Sequence, residues 1–288
     1  MLLWMGGVVM WRCASRQLAV AYIYWLVGLM CMATSTAISW FRTPLYFPSL
    51  PDIGHDMLPM VITVWGMDAH RMCDSLMYLT ATTTLVFALC TPGWRIILRR
   101  FFVIYGTLMF LRSITLLATS LPDPYPLCEE YVPGTYDWGD MPWSEVLVEF
   151  MGMFGPNEHA SLTCGDLIFS GHTILFVLCA MTWHTYYTPM HMYMLNPVKL
   201  TIWVISIIGT VLLIVTRMHW TIDIMLAYFI TVVVWNAYHS VCRDLFKGWR
   251  LKHVIWIDGA IIYPFISWLE IGTSYKQYHS RHQNKKLH

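Results

Sequence analysis

Apolar runs of membrane-crossing length alternate along the chain with short stretches that carry its charges. A span needs about 20 predominantly apolar residues. Leu18 to Phe41 supplies a first span. Ser75 to Thr91 is a weaker second, preceded by a stretch with Asp68, His70, Arg71 and Asp74. Phe101 to Thr119 is a third, interrupted by Arg112, and Leu167 to Tyr187, Leu200 to Thr216 and Ile224 to Cys242 are the fourth, fifth and sixth. A further apolar stretch, Val254 to Leu269, contains Asp258, Gly259 and Pro264 and is expected to lie in the interface rather than cross it. No internal repeat or low-complexity stretch is present.

Composition agrees with an all-α membrane protein. Hydrophobic residues make up 57% and charged residues 12% of 288, against roughly 25% charged in a soluble domain. Mean hydropathy is +0.52. A soluble fold cannot hide that much apolar surface, and disorder is excluded by the same values. The 15 Trp, 16 Tyr and 13 Phe fit aromatic belts at two membrane interfaces. A net charge of +1 argues against a nucleic-acid partner. The eight cysteines include no CxxC pair, so no metal site is expected. Arg12 and Arg16 follow the first apolar residues rather than precede them, a poor fit to a cleaved signal peptide.

Lys and Arg set the orientation. Arg12 and Arg16, then Arg95, Arg99 and Arg100, then Arg243, Lys247, Arg250, Lys252, Lys276, Arg281, Lys285 and Lys286 all fall on one side if there are six spans. The segment Leu121 to Asp166 falls on the other; it has no Lys or Arg but carries Asp123, Glu129, Glu130, Asp137, Asp140, Glu145, Glu149, Glu158 and Asp166. The expected layout is a cytosolic N-terminus over 1–17, a six-span catalytic domain over 18–245 with a long exoplasmic loop over 121–165, and a cytosolic tail over 246–288 that includes the interfacial helix.

Ionisable groups inside spans cost about 2.5–3.5 kcal/mol each and are functional candidates by default. His172 lies near the start of the fourth span, and His219 and Asp223 lie where the fifth ends and the sixth begins. The orientation places both segments on the exoplasmic side. His219 and Asp223 are spaced i, i+4, so on a helix the carboxylate can hold one imidazole nitrogen and leave the other as nucleophile or base. A second histidine opposite can act as general acid and then as base. Two histidines and a carboxylate suit phosphoryl chemistry through a phosphohistidine, with phosphate charge met by Arg217 and by the N–H groups opening the fourth span. Taken singly, each residue has a plainer role: His172 as an interfacial histidine, Asp166 as an N-cap of the fourth span. Arg112 lies nine residues before Leu121, roughly 13 Å along a helix. It either faces an internal cavity and meets a lipid phosphate or an acidic residue, or forms an ion pair with a neighbouring span.

These residues also resemble those of the sphingomyelin synthase (sphingolipid synthase) family, a branch of the lipid phosphate phosphatase superfamily. Cys164-Gly165-Asp166 with Ser170-Gly171-His172-Thr173 is similar to that family's third signature. His219-Trp220-Thr221-Ile222-Asp223 is similar to its fourth, with Trp220 where the family usually has Tyr. Arg112-Ser113-Ile114-Thr115 with Thr119-Ser120-Leu121-Pro122 resembles the second, and Leu50-Pro51-Asp52 the first. The match runs from about residue 18 to 245.

The resemblance implies six spans and an exoplasmic triad of His172, His219 and Asp223. It implies transfer of a phospho-alcohol headgroup, phosphocholine first, from a glycerophospholipid to ceramide with release of diacylglycerol, without a cofactor. By analogy His219, oriented by Asp223, is the nucleophile and His172 the acid and later base; the reverse assignment stays open. Arg112, Arg217, Asp166, Ser170 and Trp220 are the candidates for substrate and phosphate contacts. The Lys-x6-Arg-Pro signature of the superfamily's phosphatases is not found, which favours transfer, with a hydrolase on the same triad as the alternative. Ethanolamine and inositol donors also occur in the family and remain open; a choline reader should offer an aromatic cage or a carboxylate, for which Trp220, Trp138, Trp143, Tyr136, Glu145 and Glu149 are available. Self-association is also open. The family's cysteines imply a bridge between Cys128 and Cys164. Lys285 and Lys286 resemble a dilysine retrieval signal, so the expected residence is the endoplasmic reticulum, with the Golgi as alternative.

Overall fold

The apolar runs fold into long helices, and the computed structural model describes residues 16–42, 50–64, 67–122, 124, 150, 168–187, 196–246 and 263–270. In chain order the elements are α1 (Arg16–Arg42), α2 (Ile53–Met57), β1 (Thr63–Val64), β2 (Met67–Asp68), α3 (Ala69–Cys90), α4 (Trp94–Ala118), α5 (Gly171–Tyr186), α6 (Pro197–Val215), α7 (Thr221–Phe246) and α8 (Tyr263–Glu270). The strands pair antiparallel, Thr63 opposite Asp68, and are the one non-helical element among the described residues.

Local chemistry sets the helix ends. Asn196 caps α6, its side chain accepting from the Val198 N–H at 3.0 Å, and Pro197 fills the first turn, where no amide donor is needed. Gly93 takes a φ of 90°, a left-handed conformation that lets α3 reverse into α4 within a few residues. Threonines are common in α3, and their hydroxyls cannot stay unpaired in an apolar setting. Thr80 and Thr84 each donate to the carbonyl four residues back, at 2.7 Å.

α1 packs along α4, and α5 sits between α3, α4, α6 and α7. The α1–α4 crossing is close because it is built on glycine: a Cβ on Gly28 would come within 2.9 Å of the Gly106 carbonyl oxygen. Stacked Trp25 and Phe102, with ring centres 5.0 Å apart, flank that contact. Buried Leu108, Leu116, Ile174, Leu178 and Ala227 join α4, α5 and α7 in the core.

Among the described residues, five helices are long and apolar enough to cross a membrane: α1, α3, α4, α6 and α7. The fourth expected span, Leu167 to Tyr187, is represented by α5, which has 16 residues, about 24 Å of helix against a core of about 30 Å. α5 starts at Gly171 because the Ser170 N–H is drawn to the Asp223 carbonyl, 3.3 Å away. The cap is Ser170, whose side chain accepts from the Thr173 N–H at 3.2 Å. This corrects the expectation of Asp166 as the cap. The second and third spans also begin earlier than expected, at Ala69 and Trp94. Arg99 and Arg100 are therefore helical rather than in a loop. They can be buried because Glu270 of α8 lies 3.0 Å from Arg99 and 2.9 Å from Arg100. Asp166, the Cys128 and Cys164 pair, Tyr136, Trp138, Trp143, Glu145, Glu149, Lys285 and Lys286 lie outside the described residues.

Candidate active site

The end of the bundle opposite Glu270 gathers the chemistry. His172 is the second residue of α5, where the first N–H groups of the helix lack intrahelical partners. Its Nε2 lies 2.9 Å from an Asp74 carboxylate oxygen. Asp74 comes from the second turn of α3, and its side chain is 43% exposed against 23% for His172. The pair therefore faces an accessible space rather than the packed interior.

His219 comes from the turn between α6 and α7 and is buried. Its ring centre is 6.2 Å from that of His172, edge to face. Its Nδ1 lies 3.9 Å from Asp223 Oδ2, an electrostatic contact longer than a hydrogen bond. The i, i+4 spacing is realised differently from the helical expectation: α7 begins at Thr221, so His219 precedes the helix while Asp223 sits in its first turn. Asp223 Oδ2 accepts from the Trp220 N–H at 3.1 Å. A third-position acidic side chain reaching back to the residue before the helix is half of a capping box. The same carboxylate thus starts α7 and faces the imidazole.

The candidate substrate contacts separate into two groups. Arg112 is buried near the end of α4, and its guanidinium lies against Gly171, where a Cβ would collide with Nη1. This puts a cation beside the residue that precedes His172. Arg217 is engaged with the backbone of the segment beside His219. It holds a left-handed φ of 62° and donates through Nη2 to the carbonyls of His55, at 2.8 Å, and Leu58, at 3.2 Å. Ser170 caps α5, and the Trp220 indole N–H donates to the Pro122 carbonyl at 3.0 Å, with its ring 5.1 Å from that of His55. Trp220 is buried. Asp166 is not among the described residues.

Sequence reasoning missed Asp74 as a partner of His172. The available signal was an acidic residue one turn inside an apolar helix; nothing in the chain pointed to a histidine 98 positions away. It named Asp52 in the first motif but missed that residues 52–58 pack against the fourth motif. Asp52 accepts from the Thr221 N–H at 2.8 Å and the Thr221 hydroxyl at 2.6 Å, and His55 Nε2 lies 3.1 Å from the His219 carbonyl. Burial alone would raise the Asp52 pKa, but the hydrogen bonds from Thr221 and the His55 N–H outweigh it and hold the carboxyl below its ordinary value. Burial, then the nearby Arg217 charge, lowers the pKa of His55 and favours the neutral ring.

Two histidines, each beside a carboxylate and with an arginine nearby, thus stand together at one end of the apolar bundle. Residues 163–240, which include His172, His219 and Asp223, match the PAP2 superfamily C-terminal model. Over 92% of its length the chain is 29% identical to the Caenorhabditis elegans protein named phosphatidylcholine:ceramide cholinephosphotransferase 1, covering 58% of that protein. It is 26% identical, over 79% of its length, to human sphingomyelin synthase-related protein 1, covering 51% of it. It is 27% identical, over 78%, to Rattus norvegicus phosphatidylcholine:ceramide cholinephosphotransferase 2, covering 60%. The resemblance read from the motifs is thus borne out as a similarity: residues 163–240 match the PAP2 superfamily C-terminal model, and most of the chain is similar to proteins named for sphingomyelin synthesis. It spans a little over half the length of these curated relatives.

Proposed function

We propose that this chain is a ceramide phosphotransferase that moves phosphocholine from a glycerophospholipid to the primary hydroxyl of ceramide and releases diacylglycerol. The observation that carries this reading is the facing pair of His172 and His219, with ring centres 6.2 Å apart. Each has a carboxylate on one side, Asp74 and Asp223 respectively. The relatives named for cholinephosphotransfer to ceramide support the choice of headgroup and acceptor.

The reaction runs in two displacements. His219, its Nδ1 turned to Asp223, attacks phosphorus through Nε2. The phosphorus–oxygen bond to the glycerol breaks, and His172, protonated, gives its proton to the departing diacylglycerol oxygen. Ceramide then binds, His172 removes its hydroxyl proton, and the alkoxide attacks phosphorus as the bond to His219 Nε2 breaks. Asp74 holds the His172 ring through both steps. Arg112 and the N–H groups of the first turn of α5 are the candidates for the phosphoryl oxygens. α5 is read as the fourth of six spans, and the site as lumenal in an endoplasmic reticulum or Golgi membrane. That orientation rests on Arg99 and Arg100 lying at the far end of the bundle and on the Lys- and Arg-free segment over 121–166.

Purified protein in vesicles with labelled ceramide, given phosphatidylcholine, phosphatidylethanolamine or phosphatidylinositol in turn, tests the reading. Phosphorylated ceramide should appear with the choline donor, with one diacylglycerol released per product. Headgroup release that is independent of ceramide would overturn it in favour of hydrolysis.

A further inference from the structure

We propose that Asp52 is a positioning residue for His219, acting through Thr221. This rests on the reading of His219 as the nucleophile. His219 has no helix of its own: it follows Arg217 with its left-handed φ and ends one residue before α7 begins. Backbone contacts on either side, together with the Asp223 carboxylate, fix where its imidazole stands relative to His172. The Asp52 segment supplies them. One Asp52 oxygen accepts from the His55 N–H at 3.0 Å and the Thr221 hydroxyl at 2.6 Å; the other accepts from the Thr221 N–H at 2.8 Å. A single carboxylate thus caps α2 and satisfies the first N–H of α7. His55 Nε2, 3.1 Å away, donates to the carbonyl of His219 itself in the neutral tautomer that carries its proton there. Arg217 closes the loop by donating to the His55 and Leu58 carbonyls.

The contacts are buried enough to hold: the Asp52 and His55 side chains are 8% and 11% exposed. They are also tightly fitted, since a Cβ on Gly54 would collide with the Thr221 hydroxyl. Residues 52–58 therefore form a rigid brace beneath residues 217–221. A catalytic group displaced by about 1 Å can lose about 100-fold in rate, so a brace of this kind sets turnover rather than lipid binding.

The test uses the full chain in vesicles with Asp52→Asn, Thr221→Val and the double variant. Asn keeps one acceptor and remains a good cap for α2, but presents an amide N–H to the Thr221 N–H. Turnover per folded molecule should fall roughly tenfold or more, with KM for both lipids nearly unchanged. The double variant should be no worse than the poorer single one, because both break the same link. Unchanged turnover per folded molecule, a loss confined to KM, or losses that simply multiply would overturn the proposal. Should Asp52→Asn not fold, Thr221→Val leaves the α2 cap intact and carries the same expectation. Wild type and His219→Ala in the same series report on the reaction separately. If wild type transfers no headgroup, the reaction is at fault, and the brace is judged by carbethoxylation of His219, read by mass spectrometry of its peptide. That rate should then differ clearly between wild type and Asp52→Asn, and equal rates would overturn the brace.

Discussion

An Asp74 carboxylate oxygen sits 2.9 Å from Nε2 of His172 and ties α3 to the start of α5 at the mouth of the site. A carboxylate in this position selects the tautomer of the ring and stabilises the imidazolium that forms when the ring takes a proton. Asp74→Asn should lower turnover by about 10²–10⁴-fold, the range of a general acid–base contribution, with little change in the amount of folded protein. The partly exposed pair leaves folding nearly untouched. Initial rates with labelled ceramide, normalised to monodisperse protein, check it; near-normal turnover would remove Asp74 from the mechanism.

Asp223 has two tasks that one substitution can separate. Asn retains an oxygen for the Trp220 N–H and so preserves the start of α7, but it no longer presents a negative charge to His219. Asp223→Asn should fold, with a thermal midpoint close to wild type, yet lose at least about 100-fold in rate. His219→Ala and His172→Ala should each abolish product. Brief reaction with a headgroup-labelled donor in the absence of ceramide should leave acid-labile label on the His219 peptide. Label on the His172 peptide instead would reverse the two roles.

The sequence shows the helices and half of the site for physical reasons, and it hides the rest for others. Spans such as α1 and α6 are legible because apolar length alone specifies them. His172, His219 and Asp223 stand out because ionisable groups are costly in such a setting. Asp74 could not be paired, because its partner is brought near only by the packing of α3 on α5. Arg217 carries a role the sequence did not show: its charge suggested a phosphate contact, and its Nη2 also donates to two backbone carbonyls. The start of α5 was misplaced because the Asp223 carbonyl, distant in sequence, competes for the Ser170 N–H.

Gly171 is where Arg112 meets α5, and the contact gives a graded test of the arginine. Adding a methyl there must push the guanidinium aside. Gly171→Ala should reduce turnover roughly tenfold or more by displacing Arg112 and the adjacent His172, as expected for an ångström-scale shift. Arg112→Lys keeps the charge but loses the planar fork. It should recover only part of the activity that Arg112→Gln loses. Equal rates for Lys and Gln would mean that charge at this place is irrelevant to the phosphoryl group.

At the far end, Glu270 carries a testable stability term that is separate from catalysis. It bonds to Arg100 through both oxygens, contacts Arg99, and accepts from the Tyr238 hydroxyl at 3.2 Å. Removing one member of a buried ion pair leaves the others uncompensated and costs about 3–5 kcal/mol. Glu270→Gln should therefore lower the thermal midpoint in detergent clearly, while the remaining folded enzyme turns over at the wild-type rate. Burial alone would raise the Glu270 pKa, but the hydrogen bond and charge of Arg100, then Arg99, outweigh it and hold it below the ordinary glutamate value. A group lowered in the folded state stabilises fully above its unfolded pKa, near 4.3 for glutamate, and loses that contribution as pH falls through the folded value. Wild type should thus lose this increment of stability only below about pH 4, whereas Glu270→Gln, which has no carboxylate to protonate, should lack that part of the acid dependence. Thermal midpoints of both proteins between neutral and acid pH provide the comparison. A gap between them that stays constant to the lowest pH would show that Glu270 does not carry a depressed pKa.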